Sequence, residues 1–276
     1  MEIGKTNKLI VARATDFGFY LTDDANNEVL LPNAYVSEDL SITDEIEVFI
    51  YKDSEDRLVA TNLTPYIQLK EFAVLQVKDV NQFGAFMDWG LAKDLLVPFN
   101  EQTKKMEEGN WYLIYLLKDE KTDRLFGSAK VKKFLHFEDI ELKQGDEVDL
   151  LLFNRTDLGM NAIINNKYKG LIFNSDIHKN IQAGDKTIGF VKNIREDGKI
   201  DISLEPIGYQ NSINQNSEII LSALKQNNGF LNLSDSSSPE DIKYMIGLSK
   251  KAFKKALGNL YKNKKIELFK DGIKLL

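Results

Sequence analysis

Apolar positions fall in short alternating runs through most of the chain and at helical spacing in its last part. KLIVARAT, EIEVFIY, FAVLQVKDV, NWYLIYLL, EVDLLLFNRT and KTIGFVKNI are rich in β-branched and aromatic residues. They alternate and are bounded by turn sequences such as DDANN, KTD and EDG, which is the pattern of strands. Set side by side, the runs repeat. Phe17 to Pro32 (FGFYLTDDANNEVLLP), Phe83 to Pro98 (FGAFMDWGLAKDLLVP) and Leu158 to Phe173 (LGMNAIINNKYKGLIF) share a second-place glycine, a short alternating stretch, a polar loop and an apolar triplet. The glycine and the last residue are 14 positions apart in all three segments, with no gap. Later in each unit a base precedes one more β-like run: Arg57 in DRLVAT, Arg124 in DRLFGSAK and Lys199 in GKIDISLE.

Five short strands per unit would leave raw sheet edges unless each sheet closed on itself. The economical closure is a small OB-type barrel. The repeat therefore predicts a multidomain, mainly β chain with three tandem five-stranded OB-type barrels at residues 1–65, 66–136 and 137–208. The glycine of each second strand predicts a bulge there, which would let Phe83 and Phe86, three apart, share one face. Regular alternation would set those rings on opposite faces, one of them in the barrel interior.

From Glu205 the sequence turns polar, and residues 209–216 are expected to be a linker. Ile219, Ile220, Leu221 and Leu224 then predict a helix stopped at Gly229. Ser238-Pro239-Glu240-Asp241 combines a cap, a first-turn proline and first-turn acids, and so starts a second helix that ends at Gly247. A third follows Ser249 with a Phe253, Ala256, Leu257, Leu260 stripe, and KKIELFKDGIKLL reads as a hairpin around Asp271-Gly272. Three helices and a hairpin over residues 217–276 resemble a winged helix domain of α+β class.

The chain has 276 residues, 43% of them hydrophobic and 28% charged, enough for packed cores. It has no cysteine, which excludes disulfides and thiolate metal sites, and only two histidines, His136 and His178. No metal site, cofactor motif or catalytic constellation is expected: P-loop, G-x-S-x-G and H-E-x-x-H are all missing. The first residues, MEIGKTNKLIVARATDFG, lack the apolar core of a signal peptide, and Trp111 to Leu117 is the longest purely apolar run. A cytoplasmic protein without membrane contact is expected. The net charge of −6 is unevenly shared. Residues 217–276 hold 11 lysines and 6 acids (+5), leaving 25 basic and 36 acidic residues (−11) before them.

The base-bearing first strand, F-G-x-F, the apolar triplet and the fifth strand resemble the S1-type RNA-binding domain. Three such units with a winged helix tail resemble the conserved virulence factor B family of bacterial RNA-binding proteins. The resemblance implies an aromatic platform of Phe83, Phe86 and Pro98 with Arg124 in the second repeat. In the first repeat it implies Phe17, Tyr20 and Pro32 with Asp53 and Arg57, and Lys78 adds a base on a first strand. Exposed rings stack on bases of any sequence at about 1–3 kcal/mol per base, and a nearby guanidinium tracks phosphate. Leu158 and Asn161 replace both rings in the third repeat, which would then serve as a spacer or a protein-docking surface. In the tail, Lys250, Lys251, Lys254 and Lys255 would face outward from the third helix, with Lys270 on the wing. They would touch duplex phosphate or simply be a solvated face.

The expected function is non-catalytic binding of single-stranded RNA in post-transcriptional regulation. The alternatives are a protein-interaction scaffold whose RNA faces have decayed and a DNA-binding regulator acting through the winged helix.

Overall fold

The computed structural model describes residues 1–276 apart from 38, 178–179 and 207–208, with the backbone alone at 209–212 and 214. His178 lies outside the described residues. The chain divides into two compact units, Met1–Leu204 and Glu205–Leu276.

The first unit holds the three repeats as three five-stranded β structures. Barrel one comprises β1 (Thr6–Thr15), β2 (Gly18–Thr22), β3 (Glu28–Pro32), β4 (Glu45–Lys52) and β5 (Leu58–Thr61). It closes in the order β1-β2-β3-β5-β4, with β3 and β5 parallel. Barrel three repeats this order with β11 (Glu147–Thr156), β12 (Gly159–Ile164), β13 (Tyr168–Phe173), β14 (Lys186–Ile194) and β15 (Ile200–Ser203). Between them stand β6 (Phe72–Asn81), β7 (Gly84–Asp88), β8 (Leu95–Pro98), β9 (Trp111–Lys118) and β10 (Leu125–Ser128). Here the sheet runs β10-β9-β6-β7-β8, and β8 and β10 touch without sharing a ladder, so barrel two is nearly closed.

The recurring glycines have one cause. Each starts a second strand directly after a two-residue turn: Thr15 pairs with Gly18, Asn81 with Gly84 and Thr156 with Gly159. Their φ values are +141°, +151° and +153°, and a Cβ there would lie 2.0, 2.3 and 1.9 Å from the carbonyl oxygens of Leu31, Val97 and Ile172. Only glycine fits both the dihedral and the space. The expected bulge lies elsewhere. Register slips on the first strand of each barrel, at Ala12, Lys78 and Phe153. The turn, with its positive-φ glycine, sets the orientation of the preceding ring.

The barrels of this unit are not beads on a string. Phe49, Tyr51 and Val59 of barrel one join the barrel-two core, where Trp89 meets Phe49 edge-on at 5.7 Å and Tyr51 at 6.3 Å. Burial pushes the Tyr51 hydroxyl pKa well up. Between barrels two and three, Phe72, Val74, Leu135, Leu151 and Ile163 form a separate cluster. Asn166, in the β12–β13 turn, stitches this junction: its Oδ1 accepts from the Phe72 N–H at 2.9 Å and its Nδ2 donates to the Lys70 carbonyl at 2.8 Å. Asn166→Ala leaves that N–H without its partner. The Phe72 amide, followed by hydrogen exchange, is expected to lose at least tenfold of its protection, corresponding to about 1.4 kcal/mol for one orphaned donor. Unchanged protection would show that the junction holds without this bridge.

The second unit runs α1 (Tyr209–Gln226), β16 (Phe230–Leu231), α2 (Pro239–Ile246), α3 (Lys250–Lys262), β17 (Ile266–Phe269) and β18 (Gly272–Leu275). Ser238 and Ser249 cap α2 and α3 as their positions predict, and Gly247 ends α2 in the left-handed region. The expected linker at 209–216 is instead the start of α1. Its glutamines, asparagines and serines carry no apolar stripe to betray a helix. Once Ile220 and Leu224 are packed into the core beside Phe253 and Leu257, backward extension costs little. The hairpin turn is Lys270-Asp271, one residue earlier than expected, with Gly272 already pairing with Phe269. The sheet also gains β16, too short to read in advance.

Candidate nucleic-acid interface

Phe17, Phe83 and Leu158 occupy the tips of the three glycine-led hairpins. They project into solvent at 76%, 63% and 66% exposure. The second ring of each motif lies on the outer face of the second strand, where Tyr20 and Phe86 are half-buried while their neighbours Leu21 and Met87 fill the cores. In barrel two the rings three apart line one groove, one reaching it from the turn and the other from the strand.

The two platforms differ. Tyr20 pairs across the sheet with Arg13, whose guanidinium lies 3.8 Å from the ring centroid and donates to Glu28 at 2.8 Å. That guanidinium holds the Glu28 carboxyl below its usual range. One face of Tyr20 is therefore already covered. In barrel two the corresponding pair is Asp79 and Phe86, so no cation sits at that register position. Phe83 and Phe86 open onto a groove of about 780 Å³, shared with Pro98, Lys93 and Arg124 of barrel two and Asp56 of barrel one.

Every base expected from the sequence on barrels one and two is engaged by acid. Arg57, just ahead of β5, holds Asp53 at 2.6 Å and Glu55 at 2.9 Å and does not line that groove. Lys78, the bulged residue, is 3.1 Å from Asp94 and 3.9 Å from Asp88, and Asp94 raises its pKa. Arg124 reaches across to Asp56 of barrel one with both Nε and a terminal nitrogen. Lys93, missed in the sequence because it sits in a loop without a motif, also faces the groove. Its Nζ donates to the carbonyls of Lys52 (3.0 Å) and Asp53 (2.7 Å), and burial lowers its pKa. In barrel three, Arg195 lies 5.6 Å over Phe173 and pairs with Asp201, while Lys199 pairs with Asp197.

In the second unit, Lys251, Lys254 and Lys270 are exposed, and Lys250 and Lys255 are half-buried. Lys254 is 4.0 Å from Asp235. Among the described residues no helix is long and apolar enough to cross a membrane.

Residues 3–63 match the S1 domain and residues 218–275 match the CvfB-like winged helix domain. The "Uncharacterized protein YitL" of Bacillus subtilis is 33% identical over 96% of this chain and 91% of its own length. The chain belongs to the CvfB-like family. Conserved virulence factor B of Staphylococcus epidermidis is 26% identical, covering 90% of this chain and 87% of that protein. The Staphylococcus aureus protein of the same name is 25% identical over 90% and 86%. A crystal structure titled a multidomain protein with nucleic acid binding domains, from Streptococcus pneumoniae, is 24% identical with a TM-score of 0.41, covering 99% of this chain and 98% of that one. The S1 match falls on barrel one of this CvfB-like chain, whereas the groove lined by Phe83 and Phe86 lies on barrel two.

Proposed function

We propose that this CvfB-like chain is a non-catalytic nucleic-acid-binding protein that holds single-stranded RNA on barrels one and two, in post-transcriptional regulation. The observation that carries the reading is the barrel-two groove, where exposed Phe83 and half-buried Phe86 stand beside Arg124 and Lys93. Rings of this kind stack on bases irrespective of sequence, and the cations answer the backbone. Barrel two is the main station and barrel one, with Tyr20 partly covered, the weaker one. The −11 balance of the first 216 residues argues for a short, local contact rather than a broad basic track. The lysines of α3 and Lys270 support a second, weaker contact with duplex phosphate.

Fluorescence anisotropy with an end-labelled single-stranded RNA, and with duplex DNA of the same sequence, tests the reading. Tryptophan emission is a poor substitute. Trp89 is 2% exposed at the junction of barrels one and two, and exposed Trp111 lines a separate groove with Tyr66. Single strands are expected to bind more tightly than the duplex. A plot of log affinity against log salt concentration should fall with a slope of about −0.7 per phosphate contact. Duplex binding equal to or tighter than single-strand binding would move the function to the winged helix.

A further inference from the structure

The Phe83–Phe86 groove ends at a cluster of cations that closes on one carboxylate. Asp56 sits at φ +63° in the β4–β5 turn of barrel one. Its Oδ1 accepts from Arg124 Nε at 2.8 Å, and its Oδ2 accepts from the terminal nitrogen of the same guanidinium. Lys93 and Lys52 act on the same carboxylate, which the three cations together hold below its ordinary range, Arg124 first. Lys93 donates to the carbonyls of Lys52 and Asp53, and Lys52 to the Thr122 carbonyl at 2.6 Å. Among the described residues these neutral oxygens are the hydrogen-bond partners of both lysines, so their charge is left for an anion nearby.

The other acids at this end of the groove have nearer partners of their own, although Asp123 also feels Lys52 and Asp119 also feels Arg124. Asp53 is taken by Arg57, Asp94 by Lys78 and Asp123 by Lys118. Asp119 accepts from the N–H groups of Lys121 and Thr122 and from the Thr122 hydroxyl. A guanidinium meeting two oxygens side by side has the geometry it also uses for phosphate.

Building on the RNA reading, we infer that Lys52, Lys93 and Arg124 form a phosphate site for the backbone of the bound strand, and that Asp56 of barrel one occupies it in the strand's absence. The strand's phosphate then competes with an internal carboxylate. Binding at barrel two depends on barrel one moving its β4–β5 turn aside. Asp56 therefore lowers the affinity of every strand that uses this site by the same factor, the fraction of molecules in which the site is open.

Asp56→Asn in the full chain tests this, because asparagine keeps the shape and accepts the positive φ while removing the charge. With a labelled single-stranded oligouridylate, the variant is expected to bind at least threefold tighter at 0.1 M salt, with a salt slope steeper by about 0.7, one more phosphate contact. Asp56→Gly, which also tolerates that dihedral, should show the same gain, and thermal unfolding of both variants confirms that the barrels stay folded. If Phe83→Ala/Phe86→Ala weakens binding while neither Asp56 variant strengthens it, the internal competitor is wrong and the RNA reading stands. If neither the ring variant nor the Asp56 variants change binding, the RNA reading fails and this inference with it. A gain seen with uridine monophosphate or inorganic phosphate but not with the oligouridylate would overturn the assignment to a strand's backbone.

Discussion

Replacing Phe83 and Phe86 together by alanine is expected to weaken single-stranded RNA binding by more than tenfold while the chain stays folded. Each stacked base is worth about 1–3 kcal/mol, and about 1.4 kcal/mol is tenfold in affinity. Two rings lost from one groove therefore exceed that factor even at the low end. Stability should change little, because Phe83 projects from a turn and the barrel-two core is built from Leu75, Val77, Ala85, Met87, Val97 and Ile114 instead. The same pair of changes in barrel one, at Phe17 and Tyr20, should cost less, since Arg13 already covers one face of Tyr20. Anisotropy titrations of the three proteins at one salt concentration make the comparison. A loss below threefold for the barrel-two variant would mean that these rings are not the binding surface.

Gly84→Val should be the most damaging single change in barrel two, lowering stability by about 3 kcal/mol or more. Two costs add. A side chain held at φ +151° is strained by about 1–3 kcal/mol. In addition, its Cβ would sit 2.3 Å from the Val97 carbonyl oxygen and 2.9 Å from the Pro98 Cα, both backbone atoms that cannot swing away. Relief requires β7 and β8 to separate, which breaks the Gly84–Pro98 pairing and the turn that presents Phe83. Urea unfolding should show an earlier midpoint, and RNA binding should fall in parallel. A destabilisation under about 1 kcal/mol would show that the hairpin can relax around a side chain, and that the repeated glycine has some other cause.

Much of the architecture was legible because it is written locally. The 14-residue spacing from each glycine to the end of its apolar triplet became the β2–β3, β7–β8 and β12–β13 hairpins, with Gly18 opposite Pro32, Gly84 opposite Pro98 and Gly159 opposite Phe173. The caps at Ser238 and Ser249 and the stop at Gly247 were likewise readable from a few neighbouring residues. The start of α1 was not, because its first turns are polar and their helicity depends on apolar residues further along. Nor was the bulge. A slipped residue on β6 leaves no composition signal, and Lys78 reads as any strand lysine.

The candidate site divides the same way. Exposure of Phe17 and Phe83 follows from two-residue turns whose glycines admit no Cβ, a constraint that acts over four or five residues and is therefore carried by the sequence alone. What surrounds those rings is only partly local: Arg13 over Tyr20 and Asp79 beside Phe86 come from across one hairpin, whereas Lys93 meets the Lys52 carbonyl 41 residues away and Asp56 meets Arg124 68 residues away. Side-chain period and turn chemistry set each hairpin by itself, since strand pairing within a hairpin is local. The packing of one barrel against the next decided which cations face the groove and which acid meets them, because only the folded unit brings those charges within hydrogen-bonding distance.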